Sequence, residues 1–303
     1  MAITAQDVKA LREMTGVGMM DCKKALAASD GDMDKAVEWL REKGLAASAK
    51  KAGRIAAEGM AYAGVIGNVG VVVEVNAETD FVGKNEKFVD FVKGVAATVA
   101  ACAPADLDAL MECKYNGTDL TVTQQQQEMV LVIGENIKVR RFARFADGVS
   151  VPYIHAGGKI GVLVNLEVTG GIDVTEIGKD MAMQIAALNP RFLDKSQVTQ
   201  EVLDEEKKIL LAQMDNDPKM ASKPDQVKEK IVVGKLNKFY AENCLLQQTF
   251  VKDNEVTVEQ YMNAAAKKLG GTVALKDAVR FEKGEGIEKK QENFAEEIAK
   301  LAQ

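Results

Sequence analysis

The chain has 303 residues, 47% hydrophobic and 28% charged, the profile of an ordinary globular protein of roughly two domains. A net charge of −6 and a pI near 5.2 argue against nucleic acid as the main partner. No apolar run approaches the ~20 residues of a membrane span. The charged start MAITAQDVKALRE lacks the apolar core of a signal peptide, and four cysteines (Cys22, Cys102, Cys113, Cys244) without metal-type spacing read as free thiols of a cytoplasmic protein.

Residues 1–45 read as a three-helix module. Thr4 and Asp7 have capping-box spacing, and Ile3 with Val8 fits a hydrophobic staple. A first helix follows, with Val8 and Leu11 on one face. TGVG breaks it, and a second short helix runs through MMDCKKALAA. Asp32 can cap a third helix, where Met33, Ala36, Val37 and Leu40 recur at helical spacing, and Gly44 is expected to stop it. Met19 and Met20 open the middle helix side by side. Adjacent helical positions point about 100° apart, so a bundle this small can hardly bury both. Residues 41–54 carry five positive charges and one negative, and 46–58 are expected to form a solvated basic linker.

A first lobe, 59–146, begins with a hairpin, GMAYAGVIGNVGVVVEV, turning at Gly67-Asn68. Helix 85–102 places Phe88, Phe91, Val92, Val95 and Val99 on one side. A short helix near 105–112, a helix at 122–133 ending at Gly134, and the strand NIKVRRFARF complete it. A second lobe, 147–282, repeats the order: the hairpin GVSVPYIHAGGKIGVLVNLEV, helix 174–188, helix 258–269 between a Thr257/Gln260 capping box and Gly270, and the strand TVALKDAVRF. This is an α+β pseudo-repeat of two small antiparallel sheets, each with helices on one face. Residues 193–242 interrupt the second copy with two amphipathic segments. Val202, Ile209 and Leu210 give the first an apolar side, and Val227, Ile231 and Leu236 the second. Two helices alone bury little, so this helical hairpin should need a partner, most simply a second copy of itself. The tail, 283–303, reads as a last helix with Phe294, Ile298 and Leu301 on one face.

Catalysis finds little support. The one histidine, His155, lies in the second hairpin turn, and no metal cluster or phosphate loop accompanies it. Neither GVGMMDCKK nor GVIGNVG has the Gly-Lys-Ser/Thr ending of a phosphate cradle. Binding fits better, because conspicuous side chains sit in turns: Met19-Met20, Asp80-Phe81, Gly134-Glu135-Asn136 and His155. In NAETDFVGKNEKF (76–88), Phe81 lies between a valine-rich strand and a helix, where an apolar ring gains nothing unless something covers it. Each has an internal alternative. The methionines can fill core gaps, Phe81 can fold under its own helix, Gly134 can be only a helix stop, and His155 can bond its own turn. Together they suggest one elongated contact surface.

LREMTGVGMMDCKKAL, TDFVGKNEKF, IGENIKVRR and HAGGKIGVLV, in this order along essentially the whole chain, resemble the bacterial elongation factor Ts family in its long, coiled-coil-bearing form. The resemblance implies a ubiquitin-associated-like N-terminal module, a two-lobed core, a coiled-coil dimerisation hairpin at 193–242 and a C-terminal module. It implies guanine-nucleotide exchange on the translational GTPase elongation factor Tu (Tu below): binding Tu-GDP, disturbing its magnesium and phosphate site, and releasing GDP. That needs no covalent chemistry, cofactor or metal of the factor's own, and no membrane or direct nucleic-acid contact. By the same resemblance, Arg12, Met19, Met20 and Lys23 contact the nucleotide domain of Tu. Asp80 and Phe81 lie at its nucleotide site, Thr79 and Val82 beside them belong to the same partner-binding set, and Gly134 and His155 add contacts from the two lobes. Phe250 and Val251 form a further contact segment, followed by Lys252 where an apolar residue is expected. The rival reading is an adaptor that binds another protein through the module and core.

Overall fold

Two antiparallel three-stranded sheets lie back to back, each with helices on its outer face. The structure, a computed structural model, describes residues 3–288. The expected tail helix, with Phe294, Ile298 and Leu301, lies in 289–303, outside the described residues.

Helices α1 (Ala5–Thr15), α2 (Met19–Ala28) and α3 (Met33–Lys51) form the N-terminal bundle. The capping box at Thr4 and Asp7 is made, and Asp32 caps α3 by accepting from the Lys35 amide. Leu11, Cys22, Ala25, Leu26, Ala36 and Leu40 fill the centre. The expected stop at Gly44 is corrected: α3 runs through it to Lys51 and takes in much of the expected linker. Gly44 is there for close packing. A Cβ on it would lie 3.2 Å from the carbonyl oxygen of Gln127, on helix α6 (Val122–Ile133) of the first lobe. Arg41 pairs with Glu128 at 3.3 Å across the same seam, and Leu131 and Val132 of α6 pack on the bundle's core.

In the first lobe, β1 (Glu58–Ile66), β2 (Val69–Ala77) and β3 (Lys138–Phe145) pair in that order. Val71, Val73 and Val75 face Phe88, Phe91, Val92, Val95 and Val99 of α4 (Glu86–Cys102); α5 (Leu107–Glu112) and α6 complete the cover. In the second lobe, β4 (Val149–His155), β5 (Ile160–Thr169) and the last strand Thr272–Glu282 form the matching sheet. Helix α7 (Thr175–Leu188) and the helix Val258–Leu269 cover it. Each central strand has a register shift in its middle, at Glu74/Val75 and at Asn165/Leu166. The other faces of the sheets meet through Ala61, Ala63, Val72, Leu163 and Phe281. Small residues allow this approach: a Cβ on Gly161 would lie 3.1 Å from the Ala61 backbone.

Two long helices occupy most of the segment between α7 and residue 244. Helices α8 (Gln200–Asn216) and α10 (Asp225–Asn243) run along each other, joined through a short α9 (Pro218–Ala221). Leu210, Met214 and Val232 are buried between them, so the hairpin has a small seam of its own. Ile209, Val227 and Val233 remain exposed. A two-stranded ribbon, β6 (Thr249–Phe250) and β7 (Asp253–Thr257), then leads into α11 (Val258–Leu269) and β8 (Thr272–Glu282). Among the described residues no helix is long and apolar enough to cross a membrane.

Candidate functional site

Phe81 is 81% exposed, and its placement is fixed from below. It opens a single 3₁₀ turn, Val82–Lys84, ahead of Asn85, whose side chain caps α4 by accepting from the Lys87 amide. Val82 is buried in the lobe's core. A Cβ on Gly83 would lie 2.8 Å from the Gly59 carbonyl oxygen, so only a glycine lets this turn sit down on β1. With Val82 inside and Gly83 against β1, the ring of Phe81 points to solvent and does not fold under α4. Asp80 beside it is exposed as well.

The turn after β4 is seated on the same end of β1. The Ala61 amide donates to the Gly158 carbonyl at 2.8 Å, and a Cβ on Gly158 would meet Met60 at 2.7 Å. His155, exposed at the end of β4, pairs its Nδ1 with the Tyr153 hydroxyl at 3.0 Å. Gly134 caps α6 in the left-handed conformation, φ 87°. Its neighbour Glu135 accepts from the amides of Glu78 and Thr79, both at 3.0 Å. The elements carrying Phe81, Gly134 and His155 therefore converge around residues 58–61 and 78–79.

Met19 and Met20 are 55% and 66% exposed; neither fills the bundle core. With Ile3, Val8, Arg12 and Lys23 they line an apolar groove of about 500 Å³ rimmed by basic side chains. The bundle is held to the first lobe at the first turn of α4 as well as at the α3–α6 seam, because Lys87 Nζ donates to the Gly16 carbonyl at 3.0 Å.

Two expectations are corrected in detail. Val82 and Phe250 lie inside: Val82 is 6% exposed, and Phe250, 4% exposed, stacks on Tyr261 with centroids 4.1 Å apart. Neither offers a surface to a partner. Thr79 is exposed, but its hydroxyl donates to Glu135 at 2.7 Å and is already engaged. Val251 does face solvent, and its amide donates to Gln184 Oε1 at 2.8 Å. Lys252 has an internal reason to be charged: Nζ lies 2.5 Å from the buried carboxylate of Asp180, which also accepts from the Tyr261 hydroxyl. Burial, then this bond to Asp180, pushes the Tyr261 hydroxyl pKa up.

No group of three or more His, Cys, Asp or Glu side chains among the described residues is placed to hold a metal ion. What the geometry offers is a pinned, exposed aromatic edge and a separate apolar groove on one connected body. Comparison with known proteins says which kind of body it is. The family model for elongation factor TS matches residues 78–285. The elongation factor Ts of Clostridium kluyveri (strain NBRC 12016) is 48% identical over 304 residues, covering 98% of both chains. That of Magnetococcus marinus is 47% identical over 306 residues, covering 100% of both. That of Trichlorobacter lovleyi is 50% identical over 312 residues, covering 100% of this chain and 99% of its own.

The chain belongs to the elongation factor Ts family. Its function is that of the family, guanine-nucleotide exchange on elongation factor Tu, and the adaptor reading is not favoured. Glu135, which the sequence places in a conspicuous turn without giving it a role of its own, stands out in the structure. Its signal was its place immediately after a helix-stopping glycine in IGENIKVRR, but nothing local shows what its carboxylate reaches.

The exposed methionines give a direct test. Met19→Ser with Met20→Ser should weaken association with Tu by about tenfold or more, since burying each apolar side chain contributes ~1.5–3 kcal/mol. The thermal midpoint of the free factor should barely move. A large loss of stability would show that the pair belongs to the bundle core.

Proposed function

We propose that the factor docks on Tu through the Met19–Met20 groove, with Arg12 and Lys23 on its rim, and presses the Asp80–Phe81 edge into the magnesium and phosphate site. The observation that carries this is the 81% exposed ring of Phe81 on a turn seated against β1. A GTPase holds its nucleotide through backbone amides and a bridging magnesium ion, so displacing those groups suffices for release. By linkage, whatever the factor takes from nucleotide affinity the nucleotide takes from factor affinity. Gly134, His155 and Val251 extend the contact along both lobes. Binding of the factor to nucleotide-free and GDP-loaded Tu tests the reading. Preference for the empty form is required, and equal affinity for both would overturn it.

The N-terminal bundle is read as the ubiquitin-associated-like module of the family, and the α8–α10 hairpin as its coiled-coil dimerisation element. Exposed Ile209, Val227 and Val233 on that hairpin support a second copy as its partner. Removing 200–240 with a short linker should halve the mass in solution while leaving exchange chemically competent. Light scattering of the intact protein decides: a wild-type monomer at micromolar concentration would sink dimerisation. Direct nucleic-acid binding is not part of the reading. Of the basic residues at 41–54, Arg41 pairs with Glu128, Lys43 with Asp21 and Arg54 with Glu78.

A further inference from the structure

The loop that ends in Asp80 and Phe81 is tied to the turn after α6 by two carboxylates that exchange partners. Glu135 Oε2 accepts from the main-chain amides of Glu78 and Thr79, both at 3.0 Å, and Oε1 accepts from the Thr79 hydroxyl at 2.7 Å. In return, Glu78 Oε1 accepts from the Asn136 amide at 2.6 Å and lies 3.5 Å from the Arg54 guanidinium. The Asn136 side-chain amide donates to the Arg54 carbonyl at 2.8 Å, drawing the end of the first linker into the same knot. The two amides that Glu135 holds are the last before the Asp80–Phe81 pair. On the other side the turn is fixed by Val82 in the core and Gly83 on β1. Phe81 thus sits between two anchors, and Glu135 is one of them.

The chemistry suits a fixing role. An ionised carboxylate accepts only, and one that takes three donors from two consecutive residues sets both the direction and the twist of that backbone. Glu135 is half-buried, and its two oxygens already have these partners, so it is poorly placed to offer itself to another protein. Gly134, left-handed at φ 87° with open space where a Cβ would be, turns the chain off the α6 axis toward the loop. On this view Gly134 matters to exchange for where it sends Glu135.

We propose that Glu135 is a positioning residue for nucleotide release: it holds Phe81 in the attitude in which the ring enters the nucleotide site, without itself touching Tu. The proposal rests on the reading of Phe81 given above. Its effect should fall on the maximal rate of release and not on docking, which belongs to the methionine groove.

The test uses the full-length factor and Tu loaded with fluorescent GDP. Glu135→Ala, Glu135→Gln, Phe81→Ala and the double variant Glu135→Ala with Phe81→Ala are compared. Each is scored by the GDP dissociation rate at saturating factor and by the factor concentration giving half of that rate. Glu135→Ala should lower the saturated rate by about tenfold, the effect of losing one charge-assisted anchor. The half-saturating concentration should stay within about twofold, a loss confined to the displaced state. Glu135→Gln should recover part of the rate, because its amide oxygen can still accept from both main-chain amides. In the Phe81→Ala background, Glu135→Ala should add nothing. If the two losses multiply, Glu135 acts by a contact of its own and the proposal is overturned. If Phe81→Ala is slow while Glu135→Ala matches wild type, the positioning role is wrong and the reading of Phe81 stands. If Phe81→Ala is itself without effect, both fall. Should Glu135→Ala prove unstable, Thr79→Val removes only the hydroxyl bond and must show the same confinement to the saturated rate; a shift in half-saturation alone would overturn the proposal.

Discussion

Phe81→Ala slows GDP release from Tu at saturating factor by about ten- to a hundredfold and leaves the free factor folded. Burying a phenylalanine contributes ~1.5–3 kcal/mol, and each ~1.4 kcal/mol is tenfold in rate. The ring is 81% exposed in the free protein, so folding has almost nothing to lose with it. The loss therefore appears only where the ring finds cover, in the state with the nucleotide site displaced, and such a loss lowers a maximal rate. Asp80→Ala should act in the same direction but less, because an exposed carboxylate is well solvated before it docks. Dissociation of a fluorescent GDP at saturating factor separates release from docking. A rate unchanged by Phe81→Ala at saturation would make Phe81 an idle surface residue.

Glu74→Gln is expected to cost the fold several kcal/mol of stability. Glu74 is fully buried between the sheets. It accepts from Arg140 at 2.9 Å, Arg141 at 2.5 Å, Asn76 at 3.0 Å and the Gly284 amide at 2.8 Å. The last of these ties the turn after β8 in the second lobe to the central strand of the first. That turn is itself tight: a Cβ on Gly284, φ 71°, would lie 2.0 Å from the Ala57 carbonyl oxygen. Neutralising Glu74 takes away Arg140's carboxylate partner and leaves Arg141 paired with Glu285 at 3.0 Å. A fully buried pair costs ~3–5 kcal/mol to break, and the partial exposure of Arg140 and Arg141 puts this loss near the lower end, about 3 kcal/mol. At ~2–4 °C per kcal/mol the thermal midpoint falls by about 10 °C.

The same site fixes a pH dependence. Burial works against ionisation of Glu74, but the hydrogen bonds from Asn76, the Gly284 amide, Arg141 and Arg140 outweigh it and hold its pKa below the ordinary glutamate value. A carboxyl group depressed on folding contributes stability above its unfolded pKa, ~4.3, and loses it as pH falls through the lower folded value. The stability gap between wild type and Glu74→Gln should therefore be full at neutral pH and shrink in acid. Denaturant unfolding across that range measures it. A gap that stays constant down to the lowest pH would mean that shape, not charge, accounts for the loss.

Much of this protein follows from rules that act over a few residues. The capping boxes at Thr4 and Thr257, the Asp32 cap, the hairpin at Gly67-Asn68 and the left-handed stops at Gly134 and Gly270 are local, and each forms where the sequence places it. Local spacing also shows that Met19 and Met20 cannot share a small core, and Phe81 in a surface connection signals a contact residue. Other features depend on what arrives from far along the chain. Gly44 looks like a stop and is a packing site, because α6 passes over it. Lys252 looks out of place until Asp180, 72 residues away, supplies its counter-charge. Phe250 and Val82 turn inward because Tyr261 and the core of the first lobe receive them. Glu74 reads as a polar interruption in a valine strand, yet it is the anchor for residue 284, 210 positions later. Glu135 finds Glu78 and Thr79 only because β2 and β3 pair side by side, bringing together groups 57 and 56 residues apart. Periodicity and capping reach one turn of helix or one pleat of strand. A buried charge or a close backbone approach takes its meaning from partners that only the folded chain brings within hydrogen-bonding or van der Waals range.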